Sequence, residues 1–279
     1  MTGGTPLPLI SVITPVHPDK HAFLSETWAS VRRQALPPGW EWEWLVQQDG
    51  PDRPDGSVWD VLPRDPRIRT GSARAGGAGV ARTMALARAR GTLVRALDAD
   101  DLLLPGALHR DVTALHRTGA AWCVSACLDL LPDGTLRPGP WDPPDGPLEL
   151  AALRQRFEAG AFPLVGTHLT ARTDLVRALG GWPAYPALEA LAMVLFCAAL
   201  APGVMIAQPG GIYRKHPGMT TSEPSYHHET DFDALRRSIL TRLDSPARAG
   251  FSWLPRQPGA PNPTPPEDRA DPGPRRPGR

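Results

Sequence analysis

Cysteine is scarce: the 279 residues hold three, Cys123, Cys127 and Cys197. Three cysteines make a poor disulfide framework, and the Cys123–Cys127 pair lacks further Cys or His partners at zinc spacing. All three are expected to be reduced core residues of a cytoplasmic protein. An excess of charge of one sign is also missing. Thirty basic side chains against 29 acidic ones leave a net charge of +1. That balance gives no support to bulk electrostatic binding of nucleic acid or of a membrane surface. Long apolar runs are lacking too. The longest, Ala190 to Ala201, is too short to span a bilayer and reads as a buried helix, so no transmembrane segment is expected. Met1 to Pro8 has no basic start followed by an apolar stretch, so no signal peptide is expected.

Proline, by contrast, is abundant at 34 residues, and it is unevenly placed. Beyond Ser245 the chain turns Pro-, Arg- and Gly-rich and offers little to build a core from, so 246–279 is expected to be a disordered tail. Pro132 to Pro147 reads as a long loop between two halves. The expected organisation is an N-terminal extension (1–8), one domain (9–245) with a nucleotide-binding half (9–131) and an acceptor half (148–245), and the tail.

Within that domain, apolar runs and helical periodicities alternate. Leu9–Pro15 reads as a strand, Asp19–Gln34 as a helix with Leu24, Thr27, Trp28 and Val31 on one face, and Trp42–Gln48 as a strand. A short helix at Val58–Leu62 and a strand at Arg67–Thr70 follow. Val80–Arg90 reads as a helix burying Val80, Met84 and Ala87, and the run from Leu93 as a strand. This alternation is that of an α/β fold with a mainly parallel central sheet flanked by helices. Further on, Ala107–Thr118 is expected as a helix stopped by Gly119, Ala121–Leu130 as a strand and Leu148–Glu158 as a helix. Leu164–Thr170 reads as a strand, and Thr173 as the cap of a short helix ended by Gly180-Gly181. Ala187–Leu200 is an apolar helix, Val204–Gln208 and Gly211–Arg214 are two short strands, and His227–Leu243 is the last helix.

Chemistry concentrates where strands are expected to end, the place where open α/β sheets bind ligands. The strand from Leu93 runs into Asp98, Asp100 and Asp101, three carboxylates within four positions. Acids packed that closely repel unless a cation sits among them, which suggests a site of hard oxygen ligands for Mg²⁺ or Mn²⁺. The competing reading is an acidic loop capping the next helix, with Pro105 as its first residue. Asp49, followed by Gly50, can accept hydrogen bonds from a nucleobase or ribose, or can be a turn aspartate. Gly76-Gly77-Ala78-Gly79, flanked by Arg74 and Arg82, opens a helix where a phosphate can approach the backbone, or is a flexible loop.

Taken in order, several stretches resemble the family 2 glycosyltransferases of the GT-A fold. They are Ser11-Val12-Ile13-Thr14-Pro15, Val46-Gln47-Gln48-Asp49-Gly50, Gly79-Val80-Ala81-Arg82 with Ala89-Arg90-Gly91, Leu97-Asp98-Ala99-Asp100-Asp101 and Leu179-Gly180-Gly181-Trp182. The resemblance implies transfer of a sugar from a nucleotide-sugar donor, a UDP-sugar foremost, to an acceptor hydroxyl with inversion and metal assistance. It implies that Thr14 and Pro15 line the nucleotide pocket, that Asp49 contacts the base and that Arg82 meets the diphosphate. Asp98 would face the ribose or a metal-bound water, and Asp100 would ligate Mn²⁺ or Mg²⁺. Tyr213-Arg214-Lys215-His216-Pro217-Gly218 resembles the family's late Arg-x-His segment, which makes His216 a further metal or phosphate ligand.

Two departures stand out. Gln48 replaces one carboxylate of the family's Asp-Asp-Gly. In Leu188-Glu189-Ala190 the family's usual base position is occupied by Ala190, so that Glu189 is the candidate base, a different acid serves, or catalysis is lost. Two other readings follow: a catalytically impaired nucleotide-sugar-binding protein, and a metal-dependent nucleotidyltransferase with a similar sheet.

Overall fold

The computed structural model describes residues 7–18, 21–51, 58–139, 142–224, 226, 231–248 and 253–254. Most of the N-terminal extension and of the 246–279 tail, and the start expected for the last helix at His227, lie outside the described residues. The strands are β1 (Leu9–Val16), β2 (Glu41–Asp49), β3 (Ile68–Ala73), β4 (Leu93–Ala96), β5 (Leu102–Leu103), β6 (Trp122–Leu130), β7 (Leu136–Pro138), β8 (Gly146–Leu148), β9 (Leu169–Arg172) and β10 (Gly203–Arg214). The helices are α1 (Leu24–Arg32), α2 (Ala78–Leu86), α3 (Ala107–Thr118), α4 (Leu150–Glu158), α5 (Thr173–Ala178), α6 (Glu189–Leu200) and α7 (Phe232–Arg248).

All ten strands join one sheet, in the order β3-β2-β1-β4-β9-β6-β10-β5, with β7 beside β6 and β8 beside β10. The long ladders β1–β2, β2–β3 and β6–β10 are parallel, as is β1–β4; the short ones made by β5, β7, β8 and β9 are antiparallel. β1 is buried along nearly its whole length, as a strand covered on both faces must be. Its side chains alternate accordingly. Ile10, Val12 and Val16 join an apolar cluster with α1 and α3, while Ile13 joins the opposite cluster with α2, α4, α6 and α7. On the first face Trp28 stacks on Trp44, ring centroids 5.6 Å apart.

The helix expected to bury Leu24, Thr27, Trp28 and Val31 buries all four. α3 has the expected ends, closed by Gly119 in the left-handed conformation. Elsewhere the structure corrects the sequence reading. α2 buries Ala81, Arg82, Ala85 and Leu86 and leaves Met84 43% exposed, so its inward face is rotated away from Val80, Met84 and Ala87. A buried arginine, which periodicity scores as polar, sets that rotation. Leu164–Thr170 is not one strand: a 3-10 turn at Gly166–His168 leads into β9. Thr173 lies inside α5 and spends its hydroxyl on the Gly91 carbonyl, 2.6 Å away, rather than on a cap. The two short strands expected at 204–214 are one strand, β10, with an irregularity between Ile206 and Gly211. The proline-rich loop carries the edge strand β7 and the start of β8. No helix among the described residues is long and apolar enough to cross a membrane.

Candidate functional site

β1, β2 and β4 run parallel, so their carboxyl ends open on one edge of the sheet. β4 stops at Ala96, and Asp98 follows after Leu97. The two-residue strand β5 separates the acids from α3, whose first residue is Ala107 with Gly106 as its cap. The acids therefore do not cap that helix, and Pro105 is not its first residue. One oxygen each of Asp98, Asp100 and Asp101 comes within 4.8 Å of the others. Burial raises the Asp98 carboxyl above its ordinary pKa, opposed by the Arg82 charge and reinforced by Asp100. Burial, then the charges of Asp98 and Asp100, raise the Asp101 carboxyl well above its ordinary pKa. Asp101 Oδ2 is buried with no hydrogen-bond partner among the described residues. Crowded carboxylates of this kind are the electrostatic setting a cation relieves.

Arg82 approaches from α2. It is 1% exposed, and its two terminal nitrogens serve different acids: Nη2 meets Asp98 Oδ1 at 2.5 Å and Nη1 meets Glu189 Oε1 at 2.8 Å. One guanidinium therefore ties the acid at the end of β4 to the first residue of α6. Three features bring Glu189 to that place. Gly79 has no side chain, and a Cβ there would stand 2.3 Å from the Pro183 carbonyl and 3.1 Å from Glu189 Cγ. Thr83 donates to the Trp182 carbonyl at 3.0 Å, pinning the Gly180-Gly181-Trp182 turn to α2. Leu188, just before α6, sits at φ 63°, the one non-glycine left-handed residue among those described.

The Asp100–His216 pair lies on the other flank. His216 Nε2 lies 3.0 Å from Asp100 Oδ2, so the two side chains expected to share a metal point their ligand atoms at one another. Asp49, at the end of β2, accepts from the Gly76 N–H at 2.7 Å and from the Gly77 N–H at 3.0 and 3.1 Å. The anion held by the glycine loop is thus the protein's own carboxylate. Thr14 is fully buried and accepts from Trp44 Nε1 at 2.8 Å; Pro15 is buried next to it. Beneath the site, Arg95 and Asp111 form a fully buried ion pair, 3.3 Å apart. Thr170 donates to Asp111 at 2.7 Å, and Arg95 donates to the His168 carbonyl.

Residues 11–143 match the family model described as Glycosyl transferase family 2. This segment, just under half of the chain, is similar to that family. The family 2 match covers Thr14, Pro15, Asp49, Arg82, Asp98 and Asp100, and it ends before Glu189 and His216. Over 104 residues the chain is 38% identical to the O-antigen biosynthesis protein RfbC of Myxococcus xanthus, an alignment covering 36% of this chain and 8% of that protein. Its structure is similar to S. aureus TarS 1–349 in complex with UDP-GlcNAc (TM-score 0.63, 17% identity, 87% of this chain and 73% of that one). It is also similar to the longer S. aureus TarS structure (TM-score 0.59, 17% identity, 87% and 44%). At that identity the likeness establishes the fold, a GT-A fold.

The sequence singles out Asp49, Asp98, Asp100, Asp101 and Glu189, but not the Arg82 bridge that joins Asp98 to Glu189. Arg82 was expected to meet a diphosphate; the structure turns it inward, onto Asp98 and Glu189. The sequence does not bring out Thr27, which reaches the acid loop from α1, or Phe23 and Glu26, which meet Arg214 beside it. Their one signal was Thr27, a hydroxyl on a face of otherwise apolar residues.

Proposed function

We propose that the chain transfers a sugar from a nucleotide-sugar, a UDP-sugar foremost, to an acceptor hydroxyl with inversion at the anomeric carbon. The observation that supports this best is the Arg82 bridge, which places an acid able to take a proton beside an acid cluster suited to a diphosphate and its cation. Asp100 and His216 would hold the cation, with Asp98 facing the ribose or a cation-bound water. The buried, unpartnered oxygen of Asp101 and the crowding of the three acids fit such a group. The carboxylates suit Mg²⁺ or Mn²⁺, and the imidazole nitrogen tilts the set toward Mn²⁺. When bound, the cation supplies charge neutralisation for the leaving nucleoside diphosphate.

The protein's own groups do the rest. Asp49 keeps acceptor capacity beyond its three bonds to the glycine loop and can receive a base N–H. Thr14 and Pro15 shape the pocket floor through their backbone, since the Thr14 hydroxyl is committed to Trp44. Glu189 offers Oε2 to the acceptor hydroxyl while Arg82 holds Oε1. As the acceptor oxygen bonds to the anomeric carbon and the bond to the diphosphate breaks, Glu189 takes the proton. A cytoplasmic location agrees with three free, buried cysteines.

The test is a panel of UDP-sugars and hydroxyl acceptors with Mn²⁺ or Mg²⁺, the anomeric configuration of any product read by NMR. Transfer with inversion is the expected result. Alanine at position 190 motivates a second reading, a protein that binds the donor without turning it over. Donor binding with no transfer or hydrolysis across the panel would favour that one. Pyrophosphate release from a nucleoside triphosphate and a sugar phosphate would instead indicate a nucleotidyltransferase.

A further inference from the structure

Arg214 is the last residue of β10, two positions before His216. Its side chain is only 12% exposed. Its backbone N–H donates to Asp101 Oδ1 at 3.0 Å, and Nε donates to the Asp100 carbonyl at 2.8 Å. Nη2 donates to Glu26 Oε2 at 2.8 Å. The guanidinium lies 4.3 Å over the Phe23 ring, and that ring in turn meets the His216 imidazole edge-on at 4.9 Å. From the same helix, the Thr27 hydroxyl sits 2.8 Å from the Ala99 carbonyl and 3.0 Å from that of Asp101. Three successive carbonyls of the acid loop are therefore held by side chains, the middle one by Arg214. The stack Arg214–Phe23–His216 ends on the imidazole that faces Asp100.

We propose that Arg214 is a positioning residue, which braces the acid loop and His216 against the first turns of α1 so that Asp100 and His216 present a preformed pair of ligands to a divalent cation. The proposal rests on the reading that these two residues hold the cation. Its physical basis is preorganisation. A short loop bearing three like charges tends to splay, and a planar fork anchored at Glu26 and stacked on Phe23 removes that freedom before the cation arrives. Lysine has neither the fork nor the flat face, so it cannot substitute for both contacts.

The experiment measures Mn²⁺ binding directly, by the EPR signal of free Mn²⁺ titrated with the full-length chain in the presence of UDP. This readout is independent of turnover. Asp100→Asn is expected to abolish binding. Arg214→Met is expected to weaken it about 10- to 100-fold, the range for residues supporting metal ligands, with Arg214→Lys restoring only part. Glu26→Gln removes the outer anchor from an exposed position and covers the case in which Arg214→Met fails to fold; about a two-fold loss is expected. If Asp100→Asn loses Mn²⁺ while Arg214→Met and Glu26→Gln bind as the wild type does, the positioning role is refuted and the cation site stands. If Asp100→Asn binds like the wild type, the cation site itself is wrong and the proposal falls with it.

Discussion

In the proposed reaction Glu189 would act through a single unshared oxygen, because Arg82 occupies the other at 2.8 Å. Replacing it by glutamine keeps the shape and one contact to Arg82 but removes the basic site. General base catalysis contributes about 10²- to 10⁴-fold, so Glu189→Gln is expected to lower kcat by that range with little change in donor KM. Turnover that survives the substitution would assign the proton to another group. A second residue-scale expectation concerns His168. Burial, then the neighbouring Arg95 charge, pushes its imidazole down to about 3 from an ordinary 6.5. The folded state thus stays neutral where the unfolded chain takes up a proton, and His168 costs stability as pH falls from 6.5 toward 3. Between pH 6 and 4 the unfolding free energy of the wild type, relative to His168→Asn, should drop by about 1.4 kcal/mol per pH unit. Asp98, Asp101 and Asp111 have raised pKa values and act in the opposite sense. They are common to both proteins and cancel in the difference, which urea titrations at several pH values would read. A flat difference would mean that His168 is protonated in the fold.

At the scale of elements, α6 begins under strain. Leu188 holds φ at 63°, and a left-handed non-glycine residue costs about 1–2 kcal/mol. The order of two substitutions there should invert the usual one. Leu188→Gly is expected to be more stable than Leu188→Ala by about 1 kcal/mol, because both lose the same packing and only glycine relaxes the backbone. Equal denaturation midpoints would show that the turn shifts when the leucine is cut back.

Element scale is also where the sequence was most and least legible. α1 and α3 were readable because their buried residues are apolar at helical spacing and their ends carry ordinary signals. The face of α2 was not, because Arg82 is buried through a partnership with Asp98 and Glu189, 16 and 107 positions away. β9 was blurred because Leu164–Thr170 is apolar enough for a strand while Gly166 must tuck against the Ala190 backbone, which a Cβ would meet at 2.6 Å. The acids at the end of β4 stood out because local sequence alone gathers them. The bridge and the Arg214 brace did not, because they join residues far apart in the chain.

At the scale of the whole molecule, the sheet is continuous across both expected halves. β4 pairs with β9 through Leu93–Arg172, Val94–Ala171 and Arg95–Thr170, and β9 carries the sheet on to β6. The first half of the chain therefore finishes its own sheet only with a strand from the second. During synthesis, β4 emerges with one edge unpaired and must wait about 75 residues for its partner, a long-range closure of the kind that slows folding and invites wrong pairings. The family-matched segment, residues 11–143, lacks β9 and is therefore not expected to fold on its own. Expressed alone it should be insoluble or aggregate on refolding, whereas 7–248 should yield a cooperative unfolding transition. Engineers who graft a different second half onto this first half would have to carry β9 across with the first piece, so that the crossover point lies after Arg172.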